Sequence, residues 1–215
     1  TTLSRARVST AEAAAYGIAY LRQSLEFILE RNHTSWSVET VSTPSVQECL
    51  RRFRAEHALF EFGWTVVDAA DYGCPSTRVR IIVGNLRLIH NLREIPVTRV
   101  SVADAFRSSG LTVPPADYIK NNTRTRANRP CLRHISQTSH TQTASHPLMW
   151  CTVSGETVRC LNVQETALIM GFPSDWMLPK TSRAAIKAIG NAVPPPLAAA
   201  IMYAARHDET YRYYP

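Results

Sequence analysis

The sequence predicts a mixed α/β fold. Helix-period and strand-period segments alternate along its first 84 residues, and 45% of its 215 residues are hydrophobic, enough to bury a substantial core. The order helix, strand, helix, strand, strand predicts a mostly parallel sheet. The short connection over residues 68–77 suits an antiparallel pair at its edge.

Ser9 and Glu12 have the spacing of a capping box, and Ile18, Leu21, Leu25 and Ile28 then recur at intervals of three and four, so a long amphipathic helix opens the fold. The run Ser37-Val38-Glu39-Thr40-Val41 reads as a strand that ends in a loop at Ser42-Thr43-Pro44. Ser45 and Glu48 form a second capping-box signature. The buried stripe of that helix is Val46, Leu50, Phe53, His57 and Phe60, and Gly63 stops it. Residues 64–67 are β-branched and aromatic, a strand by composition. A turn at Asp71-Tyr72-Gly73 leads into a strand over 78–84.

The pattern changes after residue 86, and 86–157 reads as a small loop-rich insertion. Its segment 119–146 is rich in Asn, Thr, Ser and His and carries Lys120, Arg124, Arg126, Arg129 and Arg133 with no acid. Leu148, Met149 and Trp150 close it with apolar anchors. Helical signals return over 163–170, 181–189 and 194–206, the last with prolines at its start, where a missing N–H costs nothing. The expected organisation is therefore 1–85, 86–157 and 158–215.

The net charge of +7 favours a polyanionic partner, although charge alone suits a merely basic soluble protein equally well. Five cysteines, an odd number with no CxxC pair, point to reduced, mostly buried thiols rather than a zinc site or a disulfide framework. No uninterrupted apolar run approaches the roughly 20 residues of a membrane span, and TTLSRARVST lacks the apolar core of a signal peptide. The expectation is a soluble intracellular protein with no membrane partner.

Three stretches give a sharper reading. Asp71-Tyr72-Gly73-Cys74-Pro75-Ser76-Thr77-Arg78-Val79-Arg80-Ile81-Ile82-Val83-Gly84 resembles the segment DYGxPQxRxRxxxVG of the DNA (cytosine-5)-methyltransferases. Arg159-Cys160-Leu161-Asn162-Val163-Gln164-Glu165, followed by Gly171-Phe172-Pro173, resembles RxLTPRE…GFP. Ile189-Gly190-Asn191-Ala192-Val193-Pro194-Pro195-Pro196-Leu197 resembles IGNAVPPPLA. Val38-Glu39-Thr40-Val41 stands where that family has ENV, with Thr40 in place of Asn, and Thr141-Gln142-Thr143-Ala144 matches within the insertion. The order of the stretches is the family's.

The resemblance implies the C-terminal half of such an enzyme: part of a Rossmann-like, S-adenosylmethionine-dependent domain with a target-recognition insertion. In this chemistry a cytosine is flipped out of the duplex and a thiolate attacks C6, so that C5 accepts the methyl of S-adenosylmethionine. By resemblance, Glu39 is the carboxyl group at N3 and the amino group, and Arg80 holds O2 with Arg78 alongside. Asn191 and Ala192 would form part of the cofactor wall. Lys120, Arg124, Arg126, Arg129 and Arg133 would meet double-stranded DNA in a DNA-containing compartment, the nucleus or a bacterial cytoplasm. Each residue also has a plainer reading. Glu39 is a capping carboxylate, Arg78 and Arg80 share one strand face and pair with acids, Gly190-Asn191 is a left-handed helix C-cap, and the insertion is a solvated charged loop.

The family's early motifs, an FxGxG cofactor loop and a Pro-Cys nucleophile, do not occur in these 215 residues. The one Pro-Cys, Pro130-Cys131, lies in the basic stretch after Arg80 and is not expected to serve. Three explanations stay open: a fragment, one subunit of a split enzyme whose partner brings the nucleophilic Cys, or a catalytically silent relative kept for binding or structure. The expectation common to all three is that this chain alone does not methylate DNA.

Overall fold

The computed structural model describes residues 11–31, 33, 35–111, 116–124, 130–144 and 146–206. Two compact units emerge. The first draws on the described residues of Thr1–Val67, Val79–Ile95 and Ala199–Pro215, the second on Asp68–Arg78 and those of Pro96–Ala198.

In the first unit α1 (Ala11–Arg31) and α2 (Pro44–Glu56) accompany a three-stranded sheet of β1 (Ser37–Val41), β2 (Gly63–Asp68) and β3 (Val79–Gly84), followed by α3 (Leu86–Glu94). The strand order is β1-β3-β2. β1 and β3 run antiparallel, with Glu39 opposite Ile82 and Val41 opposite Arg80. The sheet described is thus not the mostly parallel one expected. The α1 stripe does form: Leu21, Leu25 and Ile28 are buried and Ile18 packs on the same core, while Ser9 and its cap lie outside the described residues. α2 starts differently from the expectation. Thr43, not Ser45, is its N-cap and accepts from the Val46 N–H, with Pro44 in the first turn. Glu48 turns instead to Arg51 and Arg52. The helix ends at Glu56, so His57 is its C-cap and Phe60 joins the aromatic packing from a loop. Val46, Leu50, Phe53, Phe62, Ile81 and Val83 form the core with the α1 stripe. Each large side chain buried there contributes about 1.5–3 kcal/mol.

The second unit opens with a short 3₁₀ turn over Ala69–Asp71 capped by the Asp68 side chain. α4 (Val102–Ser109) runs from its Ser101 cap to Gly110, whose φ of 70° gives the left-handed C-cap that glycine tolerates. Four strands follow: β4 (Tyr118–Arg124), β5 (Pro130–His134), β6 (Met149–Cys151) and β7 (Thr157–Cys160). They form one antiparallel sheet in the order β5-β4-β6-β7. The region expected to be loop-rich therefore carries two helices, α3 and α4, and this sheet. Ile119, Leu148 and Trp150 point inward to Phe106 and Ile169, so alternate apolar positions organise a segment that is polar by composition. α5 (Val163–Ile169), α6 (Ser182–Asn191) and α7 (Pro195–Arg206) follow and reach the last described residue. The stretch Ser182–Arg206 is long and apolar enough to cross a membrane by composition, with a mean hydropathy of 1.2 in its best window. It is broken at residues 192–194 into α6 and α7.

Candidate active site

β1 and β3 bring Glu39 and Arg80 together across 41 residues of chain. The Arg80 Nε lies 2.7 Å from Glu39 Oε1, and their side chains are 13% and 24% exposed. The contact follows from register: Glu39 pairs with Ile82 and Arg80 with Val41, so the two side chains are diagonal neighbours on one face. Glu39 Oε1 is itself buried and lacks the alignment a hydrogen bond needs, despite the short ion-pair distance. The guanidinium charge beside it compensates the burial of the carboxyl group. Burial pushes the Arg80 guanidinium below its ordinary value and Glu39 works in the opposite direction.

Arg78 takes a different course, against the expectation that it shares a strand face with Arg80. β3 begins at Val79. The Arg78 N–H donates to Asp68 Oδ1 at 2.6 Å and its carbonyl accepts from Ala69, which holds its backbone in a clamp ahead of the strand. Its side chain is buried, the residue only 4% exposed. Nη2 donates to the Gly190 carbonyl at 3.1 Å and Nη1 to that of Gln142 at 3.4 Å.

Gly190 is not the left-handed cap expected of it. It lies inside α6, whose C-cap is Ala192, and is not among the positive-φ glycines. The reason for glycine is close approach: a Cβ there would stand 2.4–2.6 Å from the backbone of Thr143 and Ala144. Gln142, which sequence reasoning marked only as part of a matching tetrapeptide, is completely buried. Its Nε2 donates to the Thr143 and His146 carbonyls, while Oε1 meets no donor among the described residues. The space at Gly190 is thus filled by protein. Asn191 is exposed and Ala192 packs beside Ile189 and Met170. Neither lines either of the two cavities described. These two residues alone do not enclose S-adenosylmethionine.

Of the five cations expected to meet DNA, Arg126 and Arg129 lie outside the described residues, as does the side chain of Arg124. Lys120 donates from its ammonium to the Gly155 carbonyl. Arg133 sets Nη1 on the carbonyls of Ser139 and Thr138, at 2.9 and 3.1 Å. Both are braced by backbone rather than by acids.

The thiols are the mostly buried set expected: Cys49, Cys74 and Cys151 are buried, Cys131 is half-buried and Cys160 exposed. Burial pushes the Cys74 thiol up against the lowering influence of Ser76, and it also raises Cys49 and Cys151. A raised thiol pKa leaves little thiolate, the reactive form. Cys49 is the one cysteine in the unit that holds Glu39 and Arg80.

The RCLNVQE stretch is architectural. Asn162 and Glu165 form a reciprocal capping box on α5, and Glu165 also takes both Arg159 Nη atoms at 2.7–2.8 Å and the Trp150 indole N–H. At Gly171, with φ of 79°, an added Cβ would meet Pro196 Cδ at 2.6 Å.

Residues 111–207, just under half of the chain, match the family model of the C-5 cytosine-specific DNA methylases. A comparison with the curated proteins finds no match. Among solved structures, the chain is similar to an E. coli prophage protein described as a DNA modification methyltransferase, with a TM-score of 0.53 at 14% identity, covering 82% of this chain and 70% of that one. It is also similar to the S. pombe Dnmt2 methyltransferase (TM-score 0.43, 12% identity, 78% and 64% covered) and to the Entamoeba histolytica methyltransferase EhMeth (0.45, 15%, 79% and 61%). The chain thus spans about two thirds of the length of these structures. Across residues 111–207 it carries the pattern of the C-5 cytosine-specific DNA methylases, and it resembles the C-terminal half of a DNA (cytosine-5)-methyltransferase.

Proposed function

We propose that this chain is the base-holding and target-recognition portion of an enzyme that methylates C5 of a cytosine flipped out of duplex DNA, with S-adenosylmethionine as the methyl donor. One observation carries the reading: β1 and β3 hold the Glu39 carboxyl group 2.7 Å from the Arg80 guanidinium, with only 24% and 13% of the two side chains exposed. It supports the reading independently of the family match, which covers neither residue. A flipped cytosine offers its amino N–H to one oxygen of this carboxyl group, accepts at N3 the O–H of the group's carboxylic-acid form, and sets O2 on the neighbouring guanidinium. Negative charge gathers on N3 and O2 when C6 is attacked, so the proton donated to N3 and the guanidinium at O2 both hold the transition state more tightly than the ground state. The pair also pre-exists in the fold, so little reorganisation accompanies the reaction.

The attacking thiolate is expected from outside these residues. Cys49, the cysteine of the unit that holds Glu39 and Arg80, is buried in its core with its pKa raised; no FxGxG occurs, and the one Pro-Cys, Pro130-Cys131, follows Arg80 in the basic stretch. The chain therefore acts only with a polypeptide bearing those segments, as the other part of one chain or as a separate subunit. The state of the thiols also favours a second reading, a catalytically silent subunit that binds nucleic acid.

A methyl-transfer assay with tritiated S-adenosylmethionine and duplex DNA separates the two. The chain alone should incorporate no label at cytosine. Mixed with or fused to a polypeptide carrying FxGxG and Pro-Cys, it should incorporate label. DNA binding without incorporation in the mixture favours the silent subunit. Label incorporated by the 215-residue chain alone overturns the assignment of the nucleophile.

A further inference from the structure

The second unit holds a cleft of about 580 Å³ whose walls include Arg99, Ser101, Asp104, Arg133, Gln137 and Thr138. Its charged groups differ in what already neutralises them. Arg99 directs Nε and Nη2 at Asp71 Oδ1, at 2.8 and 2.6 Å, and Asp104 is met by Arg107 Nη1 at 2.6 Å. Arg133 makes no ion pair among the described residues. Every hydrogen bond from its guanidinium leaves through Nη1, to the Ser139 and Thr138 carbonyls and to the Thr77 and Thr138 hydroxyls. One nitrogen thus anchors the group while Nε and Nη2 keep their donors.

A guanidinium braced in this way is pre-organised for an anion with two oxygens on one face, and a phosphodiester offers that pair. Gln137 and Thr138 line the same cleft with uncharged polar groups, the type that joins arginine on phosphate oxygens. Asp104 on the wall disfavours a dianion, so a singly charged diester suits the cleft better than a free phosphate.

Resting on the nucleic-acid reading above, we infer that this cleft seats a backbone phosphodiester of duplex DNA, held by Arg133 and flanked by Arg99, a cation outside the basic stretch. Lys120, whose ammonium is taken up by the Gly155 carbonyl, is not part of it.

The test is fluorescence anisotropy of the full 215-residue chain with labelled duplexes of unrelated sequence over a range of salt. Arg133→Gln should weaken binding to all of them alike and lower the slope of log K against log salt by about one. Arg99→Gln should lower it in the same direction and less, because Asp71 already screens that cation. Arg133 also braces two carbonyls, so thermal melting of each variant accompanies the titration. Arg99→Gln, on an exposed side chain, keeps the test decisive if Arg133→Gln does not fold. Wild-type slopes in both folded variants overturn the cleft and leave DNA binding intact. No duplex binding by the wild-type chain overturns the nucleic-acid reading and the cleft with it. Competition by millimolar inorganic phosphate that disappears in Arg133→Gln shows a free-phosphate site and overturns the diester assignment.

Discussion

Arg80 ends on a half-open ion pair with Glu39, whereas Arg78, two residues earlier, is buried against the carbonyls of Gly190 and Gln142. Both arginines belong to one matching motif, and strand alternation alone would give them the same face. The Asp68 carboxylate, which takes the Arg78 N–H, holds that residue outside β3 and removes it from the alternation. Arg80 retains a neighbour with spare acceptor capacity, as a group that meets substrate needs. Arg78 gives Nη1 and Nη2 to two backbone carbonyls, as a group that holds a fold together does.

That contrast predicts a division between stability and turnover. Arg78→Ala should cost the most stability, about 3 kcal/mol by urea unfolding, because two buried carbonyls lose their donor. A loss under about 1 kcal/mol would show that Gly190 and Gln142 find other donors, and the contrast would fail. Gly190→Ala should cost about 1–3 kcal/mol, since its methyl meets backbone that moves only as a unit. An unchanged midpoint would show that the Thr143–Ala144 approach is loose. Arg80→Ala should cost only about 1 kcal/mol, its partner being part-exposed.

The smallest effect concerns pH. Burial acts to raise the Glu165 carboxyl, but Arg159, the Asn162 N–H and Trp150 together hold it below the usual carboxylate range. A depressed folded-state pKa contributes stability that is present above the unfolded value, about 4.3, and is lost as pH falls through the folded one. The difference in melting temperature between the wild-type chain and Glu165→Gln should therefore be largest near neutrality and shrink below about pH 4. A difference independent of pH would remove the charge from the argument and leave only the cap.

The elements were legible where the signal is local. β1 is the short run read as a strand, and the Glu39–Arg80 meeting was implied by the motif resemblance. The cap of α2 was misplaced by two residues because Thr43 and Ser45 are both competent caps, and Pro44 decides between them by fitting the first helical position. The sheet of the second unit was missed because its strands pair across distant residues and Asn and Thr mask the inward Ile119 and Trp150. Gly190 carries the same letter whether it serves as a cap or as a point of close approach, and only the position of Thr143–Ala144 tells them apart. Gln142 gave a motif match but no sign that it would be wholly buried.

The most direct test of the central claim is the turnover of Glu39→Gln in the chain joined to a polypeptide carrying FxGxG and Pro-Cys. The amide keeps the shape but loses the acidic proton that answers the negative charge developing at N3. The account predicts a fall in kcat on the order of 100-fold or more with duplex affinity within about twofold of wild type. Wild-type turnover by Glu39→Gln would contradict the assignment of this pair as the group that holds the base.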